Sequence, residues 1–284
     1  MTDYLDPANY AAGKTGPQFQ WLDERLTVHG YPLISYGDTF LRRVKQFQEA
    51  QGWRGTGADG YVGPKTLKLL SFDPEPDEPD NVLELSKFKR TLPTGEPDHP
   101  TEVYPLKDTT GPVTFRAPVD GVTTENTDYS RDELREMHPK SWSADDGKHH
   151  KLEAICRVTE MPGRKTGSKY VPGTVIGQFH DKSDDIVILL VNVNGQVIVE
   201  EGLGKGNGSE KHVLFEGYRL GDELHYVLDA HGEGIDVTVN GHHVHIDKVA
   251  KDAYSKAGVY NRGNETNATG ASSADFLKLK ASHA

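Results

Sequence analysis

Cysteine is nearly absent: Cys156 is the only one among 284 residues. A lone thiol closes no intramolecular disulfide and builds no thiolate zinc site, so neither device holds this fold. It sits in Glu153-Ala154-Ile155-Cys156-Arg157-Val158, where alternation makes it a small buried strand residue rather than a nucleophile. Long apolar runs are missing too. No stretch approaches the roughly 20 residues of a membrane helix. Met1-Thr2-Asp3-Tyr4-Leu5-Asp6 has no basic start before an apolar run, so no signal peptide is visible and a soluble protein is expected. Basic charge is scarce, with 32 Lys+Arg against 43 Asp+Glu and a net charge of -11. That balance excludes a general nucleic-acid binder and requires any polyanion site to be a local basic groove on an acidic body. No Ala/Leu/Glu/Lys heptad pattern occurs, while glycine is plentiful at 30, which favours strands and turns over a helical bundle.

What is present divides in two. Asp73-Pro74-Glu75-Pro76-Asp77-Glu78-Pro79-Asp80-Asn81 alternates proline with carboxylate, a composition for an extended, semi-rigid spacer. The expected organisation is residues 1–73, a linker at 74–81, and residues 82–284. Before the linker the periodicity is helical: Phe19, Leu22, Leu26 and Val28 form one apolar set, and Phe40, Leu41, Val44 and Phe47 another. A glycine-rich loop spans Gly52 to Pro64, and Pro64 opens a last short helix from Lys65 to Leu70. Val44-Lys45-Gln46-Phe47-Gln48-Glu49-Ala50-Gln51-Gly52-Trp53, followed by Asp59-Gly60-Tyr61-Val62-Gly63-Pro64-Lys65-Thr66-Leu67, resembles the peptidoglycan-binding-like three-helix module. The resemblance implies a small domain able to hold a cell-wall glycan through residues 1–73, or a docking domain that has lost such binding.

After the linker the sequence turns to strands, such as Val113–Ala117, Ile186–Val193, Val197–Val199 and Leu224–Leu228. Asn194-Gly195 and Asn240-Gly241 lie between β-branched runs and signal hairpins. The fold class expected is mainly β: a β-sandwich, with the jelly roll as its preferred version, behind a small three-helix domain.

Three segments there carry chemistry. Residues two apart on a strand share a face. Arg131, Glu133 and Arg135 therefore fall on one face, Gln178 and His180 on a second, and Lys256, Gly258 and Tyr260 on a third. Lined up in one groove, they supply guanidiniums, an amide, an imidazole and a phenol. That set suits proton abstraction beside a bound carboxylate. The C5 proton of a uronate lies α to an ionised carboxylate and is a poor acid. Cations or donors must hold that carboxylate, a base must take the proton, and an acid must protonate the departing O4. Arginine's fork binds both carboxylate oxygens, and histidine and tyrosine fit the proton transfers.

Arg131-Asp132-Glu133-Leu134-Arg135, Gln178-Phe179-His180 and Tyr254-Ser255-Lys256-Ala257-Gly258-Val259-Tyr260 also resemble, in order and spacing across residues 82–284, the motifs of the alginate-lyase-type polysaccharide lyases, family seven. The resemblance implies β-elimination on a uronic-acid polysaccharide, alginate by default, leaving an unsaturated uronate at the new non-reducing end. It assigns Arg131 and Gln178 to the substrate carboxylate, His180 to the general base and Tyr260 to the general acid, or to both roles for the other C5 epimer. It places Arg135 and Lys256 along anionic subsites, makes Glu133 the carboxylate that orients the arginines, and offers Asn261 and Tyr254 as further substrate contacts. Phe179 stands where the family has Ile or Val, at a position associated with guluronate or mannuronate preference. Asp132, Ser255 and Arg262 also depart from the family's usual residues.

No metal or cofactor is expected. His242-His243-Val244-His245 shows no carboxylate at metal spacing in the sequence, and Gly202 to Gly208 reads as a loop that could cover the groove. The expected partner is an acidic polysaccharide, with no nucleic acid or membrane, and the expected state is a monomer, secreted or associated with a cell wall or phage. Two other readings stay open on sequence alone: a lyase for a glucuronate-containing wall or capsular polymer, and a non-catalytic carbohydrate-binding envelope protein.

Overall fold

The computed structural model describes residues 26, 40–50, 53–54, 66, 82–125, 127–204 and 208–284. The chain divides into two compact units, Met1–Glu78 and Pro79–Ala284. In the first, α1 (Phe40–Ala50) is the expected second helix. Val44 and Phe47 on one face are buried, as is Leu26, and Gln48 Nε2 donates to Thr66 Oγ1 at 3.0 Å. Apart from Leu26 and Thr66, the other two expected helices lie outside the described residues, as does most of the glycine-rich loop.

The second unit is built of strands: β1 (Val82–Leu83), β2 (Phe88–Glu96), β3 (His99–Val103), β4 (Thr109–Thr110), β5 (Val113–Pro118), β6 (Arg131–Glu136), β7 (His150–Glu160), β8 (Gly163–Arg164) and β9 (Gly173–His180). There follow β10 (Asp185–Asn192), β11 (Val197–Gly202), β12 (Ser209–Phe215), β13 (Glu223–His231), β14 (Gly234–Val239), β15 (His242–Ile246), β16 (Tyr254–Asn261), β17 (Ala268–Thr269) and β18 (Ala271–His283). All but β8 and β17, which pair with each other, form two stacked sheets. One runs β15-β14-β13-β7-β18-β1-β4, with β5 also on β18; the other runs β12-β11-β10-β9-β16-β6-β2-β3.

The sandwich follows from the period-two patterning. In β7 the side chains alternate buried and part-exposed, so Leu152, Ala154, Cys156 and Val158 face inward while Lys151, Glu153 and Arg157 face out. From the opposite sheet Leu134, Phe179, Leu189 and Val199 meet them in one shared core. Phe115 and Phe276 pack edge to face there, centroids 5.2 Å apart, an arrangement worth about 1 kcal/mol beyond area burial. Cys156 is fully buried in that core, and burial pushes its thiol pKa up, so the expectation of an inert structural residue holds.

Both hairpin signals are turns. Asn240 and Gly241 have φ of 48° and 81°, the two left-handed positions of a type I′ turn, and join β14 to β15. Gly195, at φ 74°, closes the turn between β10 and β11, where the Asn192 side chain accepts the N–H groups of Asn194 and Gln196. In the middle of the second sheet β9, β16 and β6, distant in sequence, lie side by side.

Candidate active site

The three chemical segments are three adjacent strands. On one side of β16, Tyr254 pairs with His180 and Lys256 with Gln178; on the other, Lys256 pairs with Arg135, Gly258 with Glu133 and Tyr260 with Arg131. Their outer faces form the floor of a groove of about 1130 Å³, lined among others by Arg131, Gln178, His180, Tyr254, Lys256 and Tyr260. That exceeds the roughly 300–1,000 Å³ of a small-molecule pocket and suits several linked sugars. Gly258 makes the geometry feasible. Its φ is 120°, and a Cβ there would lie 2.7 Å from the Asp132 carbonyl oxygen. The pairing of β16 with β9 shifts register between Ala257 and Tyr260, a bulge that aims Tyr260 into the groove.

Beneath the floor, Glu133 is 3 % exposed and gathers the cations. It lies 2.7 Å from Lys256 Nζ and 3.5 Å from Arg131 Nη1, and it accepts a hydrogen bond from the Gln178 amide. Burial alone would raise its pKa, but the Lys256 and Arg131 charges outweigh burial and hold it below the usual carboxylate range. Glu133 therefore fixes the two groups expected to meet a substrate carboxylate. The expectation that it bridges the two arginines is corrected. Its partners are Arg131, two residues before it on β6, and Lys256, its diagonal neighbour on β16, which reaches it because Gly258, directly opposite Glu133, has no side chain. Arg135 instead lies over the Tyr254 ring, 4.0 Å from its centroid, and reaches the groove through that phenol rather than as an anionic subsite. Lys256 borders the groove but is 7 % exposed and tied to Glu133, so its charge is spent largely inside the floor.

His180 Nδ1 bonds the Asp181 carbonyl oxygen. A carbonyl only accepts, so Nδ1 carries the proton and Nε2 keeps its lone pair. The Tyr254 hydroxyl lies 3.2 Å from Nδ1, and the two rings stack with centroids 5.5 Å apart. Burial, and then the Lys256 charge, lower the His180 pKa, keeping the ring neutral at pH 7. Tyr260 has the opposite disposition. Burial raises its pKa despite the nearby Arg131 guanidinium, whose carbon lies 4.5 Å from the ring centroid, so the phenol keeps its proton. One groove thus holds both a neutral base and a protonated acid.

One expected contact, Asn261, and the position tied to uronate preference, Phe179, lie off the groove face. Asn261 is fully buried on the inner face and donates to the Ala117 carbonyl at 2.9 Å. It follows Tyr260 by one residue, and the strand's alternation turns it away from the groove, so it is not a substrate contact. Phe179 is fully buried as well, packed edge to face on Trp142 with centroids 4.9 Å apart. Any influence it has on uronate preference must pass through the backbone that carries Gln178 and His180. Asp132 is on the inner face, where it accepts two bonds from Arg90, at 2.6 and 2.7 Å, and one from the Arg116 N–H at 2.9 Å.

Sequence reasoning missed Thr127, whose hydroxyl is 2.8 Å from the Tyr260 hydroxyl. It stands in a turn before β6, where no periodicity singles it out. Arg262 was noted only as a departure, yet it lines the groove and pairs with Glu200 at 3.4 Å. The groove is also less uniformly basic than expected: Asp181, Asp184 and Asp185 line the side beyond His180. Of the loop read as a cover, residues 205–207 lie outside the described residues. The histidine run does have a carboxylate nearby: Asp236, across the strands, bonds His243 and His245 at 2.9 Å each.

Comparison with known proteins agrees with this geometry. The alginate lyase family profile matches residues 83–283. An alginate lyase of Klebsiella pneumoniae is 28% identical over 73% of this chain and 86% of its own length. The crystal structure of an alginate lyase from Corynebacterium sp. superposes with a TM-score of 0.60 at 26% identity, covering 71% of this chain and 96% of that one. An alginate lyase of polysaccharide lyase family 7 superposes with a TM-score of 0.57 at 27% identity, over 71% and 96% of the two chains. With its three motifs in register on β6, β9 and β16, the chain belongs to the alginate lyase family, polysaccharide lyase family seven.

Proposed function

We propose that Arg131, Gln178, His180 and Tyr260 divide among them the β-elimination by which this alginate lyase cleaves its polymer. The observation that carries the assignment is a single groove lined both by a neutral His180, with Nε2 unprotonated, and by a protonated Tyr260. Alginate enters as an extended polyanion along the groove. Arg131 and the free N–H of the Gln178 amide hold the carboxylate of one uronate. Their donors match the charge that builds on its oxygens as the C5–H bond breaks, and Glu133 keeps them in place before the substrate arrives. His180 Nε2 takes the C5 proton. The electron pair moves to the C4–C5 bond, the C4–O4 bond breaks, and the Tyr260 hydroxyl protonates O4. One product then carries a C4–C5 double bond at its new non-reducing end. For the other C5 epimer, whose proton lies on the opposite face, Tyr260 serves as both base and acid. Lys256, Tyr254 and Arg262 contact flanking sugars.

The test is production of ultraviolet-absorbing unsaturated ends from alginate by the wild type, His180→Ala and Tyr260→Phe. Each substitution is expected to lower kcat by about 10²–10⁴-fold while KM changes little, since neither group holds the carboxylate. Retention of wild-type kcat by either variant would remove that residue from the scheme. A panel of polyguluronate, polymannuronate and glucuronan fixes the uronate preference.

For residues 1–73 we propose a wall-glycan-binding role, in a secreted or wall- or phage-associated enzyme. What supports it is the Asp59-Gly60-Tyr61-Val62-Gly63-Pro64 motif together with the buried Gln48–Thr66 contact beside it. Co-sedimentation of the full chain with insoluble peptidoglycan tests this; an unbound supernatant overturns it.

A further inference from the structure

We propose that Asp236, with His231, His243 and His245, binds one divalent first-row transition ion on the face of the sandwich opposite the groove. These residues lie on β13, β14 and β15, the last three strands of the sheet that does not carry the catalytic motifs. Asp236 sits between its neighbours. On one side it pairs with Asp229, two residues before His231; on the other it pairs directly with His245, while Thr238 pairs with His243. Alternation sends all four side chains outward, away from the core.

Three imidazole nitrogens converge on this one carboxylate. His231 Nε2 lies 2.8 Å from Oδ2, and His243 Nε2 and His245 Nδ1 each lie 2.9 Å from Oδ1. The ligand atoms of His231, Asp236 and His245 all fall within 4.8 Å of one another. Donors bound tetrahedrally to zinc at about 2.0–2.1 Å stand roughly 3.3 Å apart. The carboxylate–imidazole separations are therefore a few tenths of an ångström from a coordination shell, and rotation of the side chains would bring the imidazoles to the same spacing. The ion replaces the N–H···O contacts, and each imidazole binds through a nitrogen that has released its proton to solvent.

Gly234 helps to build the site. A Cβ there would meet His245 Nε2 at 2.9 Å and Cε1 at 2.8 Å, so the imidazole lies in space that only glycine leaves open. Imidazole and carboxylate donors without thiolate select zinc, nickel or copper rather than magnesium or calcium, which prefer all-oxygen shells. The ion would join the edge strand β15 to β13 across β14, a clasp on the end of a sheet that is otherwise open to pairing. A second group, Glu201, Glu210 and His212, also brings ligand atoms together. It has a single imidazole and two carboxylates, a poorer match to the same ions.

The experiment titrates Zn²⁺ into untagged, chelator-stripped full-length protein by calorimetry and follows thermal unfolding with and without the ion. The expected result is one strong site per chain and a higher Tm with zinc. His231→Ala and His245→Ala should each weaken binding by at least about tenfold, and Asp236→Asn should remove the Tm increase. His225→Ala, on the same face but paired with Glu223, should leave both unchanged. Absence of zinc binding to the wild type overturns the proposal. So does binding that persists undiminished in His231→Ala, His245→Ala and Asp236→Asn, which would place the ion elsewhere.

Discussion

Glu133→Gln is the most informative single change, because it removes a charge without changing shape. In the wild type the carboxylate is 3 % exposed and compensates Lys256, 7 % exposed and 2.7 Å away, and Arg131 at 3.5 Å. A glutamine keeps an acceptor for Gln178 but leaves the Lys256 ammonium buried without a counter-charge. Breaking a buried pair in this way costs about 3–5 kcal/mol. For a unit of this size that lowers Tm by roughly 10 °C. Activity should fall as well, since Arg131 and Gln178 lose the group that positions them. The control is Glu133→Gln combined with Lys256→Met, which replaces the stranded charge by an apolar chain of similar length. It should recover about 2 kcal/mol or more of the loss without restoring turnover. Chemical denaturation followed by circular dichroism gives the stabilities, and the unsaturated-product assay gives the rates. A loss below about 1 kcal/mol in Glu133→Gln, or a further loss on adding Lys256→Met, would refute the view of Glu133 as the buried counter-ion of the floor.

The same carboxylate sets a pH dependence. Its folded pKa is lowered, so its contribution is full above the unfolded value of about 4.5 and disappears as pH falls through the folded value; acid unfolding should be shallower in Glu133→Gln. Because burial lowers the His180 pKa, the acid limb of kcat should lie below the ordinary histidine value of about 6.5, and a limb at or above it would contradict a buried neutral base. Gly258→Ala places a Cβ 2.7 Å from the Asp132 carbonyl at a left-handed φ; it should lower both Tm and kcat, and a variant with wild-type kcat would show that the bulge does not aim Tyr260. Asp132→Asn weakens the Arg90 pair on the inner face and should cost about 2 kcal/mol with kcat per folded molecule unchanged, as measured by activity at a temperature well below its Tm.

Strand alternation made most of the groove legible. Arg131, Gln178, His180, Lys256 and Tyr260 were readable because each lies an even number of residues from another polar or aromatic residue of the same strand, and the same rule returns Asn261 and Phe179 to the interior. Cross-strand partners were not readable, since they depend on register. Nothing in the spacing of Arg131, Glu133 and Arg135 says that Lys256 from β16 would take the carboxylate and Tyr254 would take Arg135. For the same reason the histidines of β15 looked isolated until β14 set Asp236 beside them. Thr127 carries no periodic signal, because it acts from a turn that only the folded chain brings to Tyr260.

The assignment of His180 as the base that removes the C5 proton is tested most directly by chemical rescue. His180→Ala should form unsaturated ends from its preferred uronate at least about 10²-fold more slowly than the wild type, and added imidazole should restore part of that rate in proportion to its free-base concentration. A variant that keeps near-wild-type turnover, or one that is inactive but indifferent to imidazole while binding alginate normally, would contradict it.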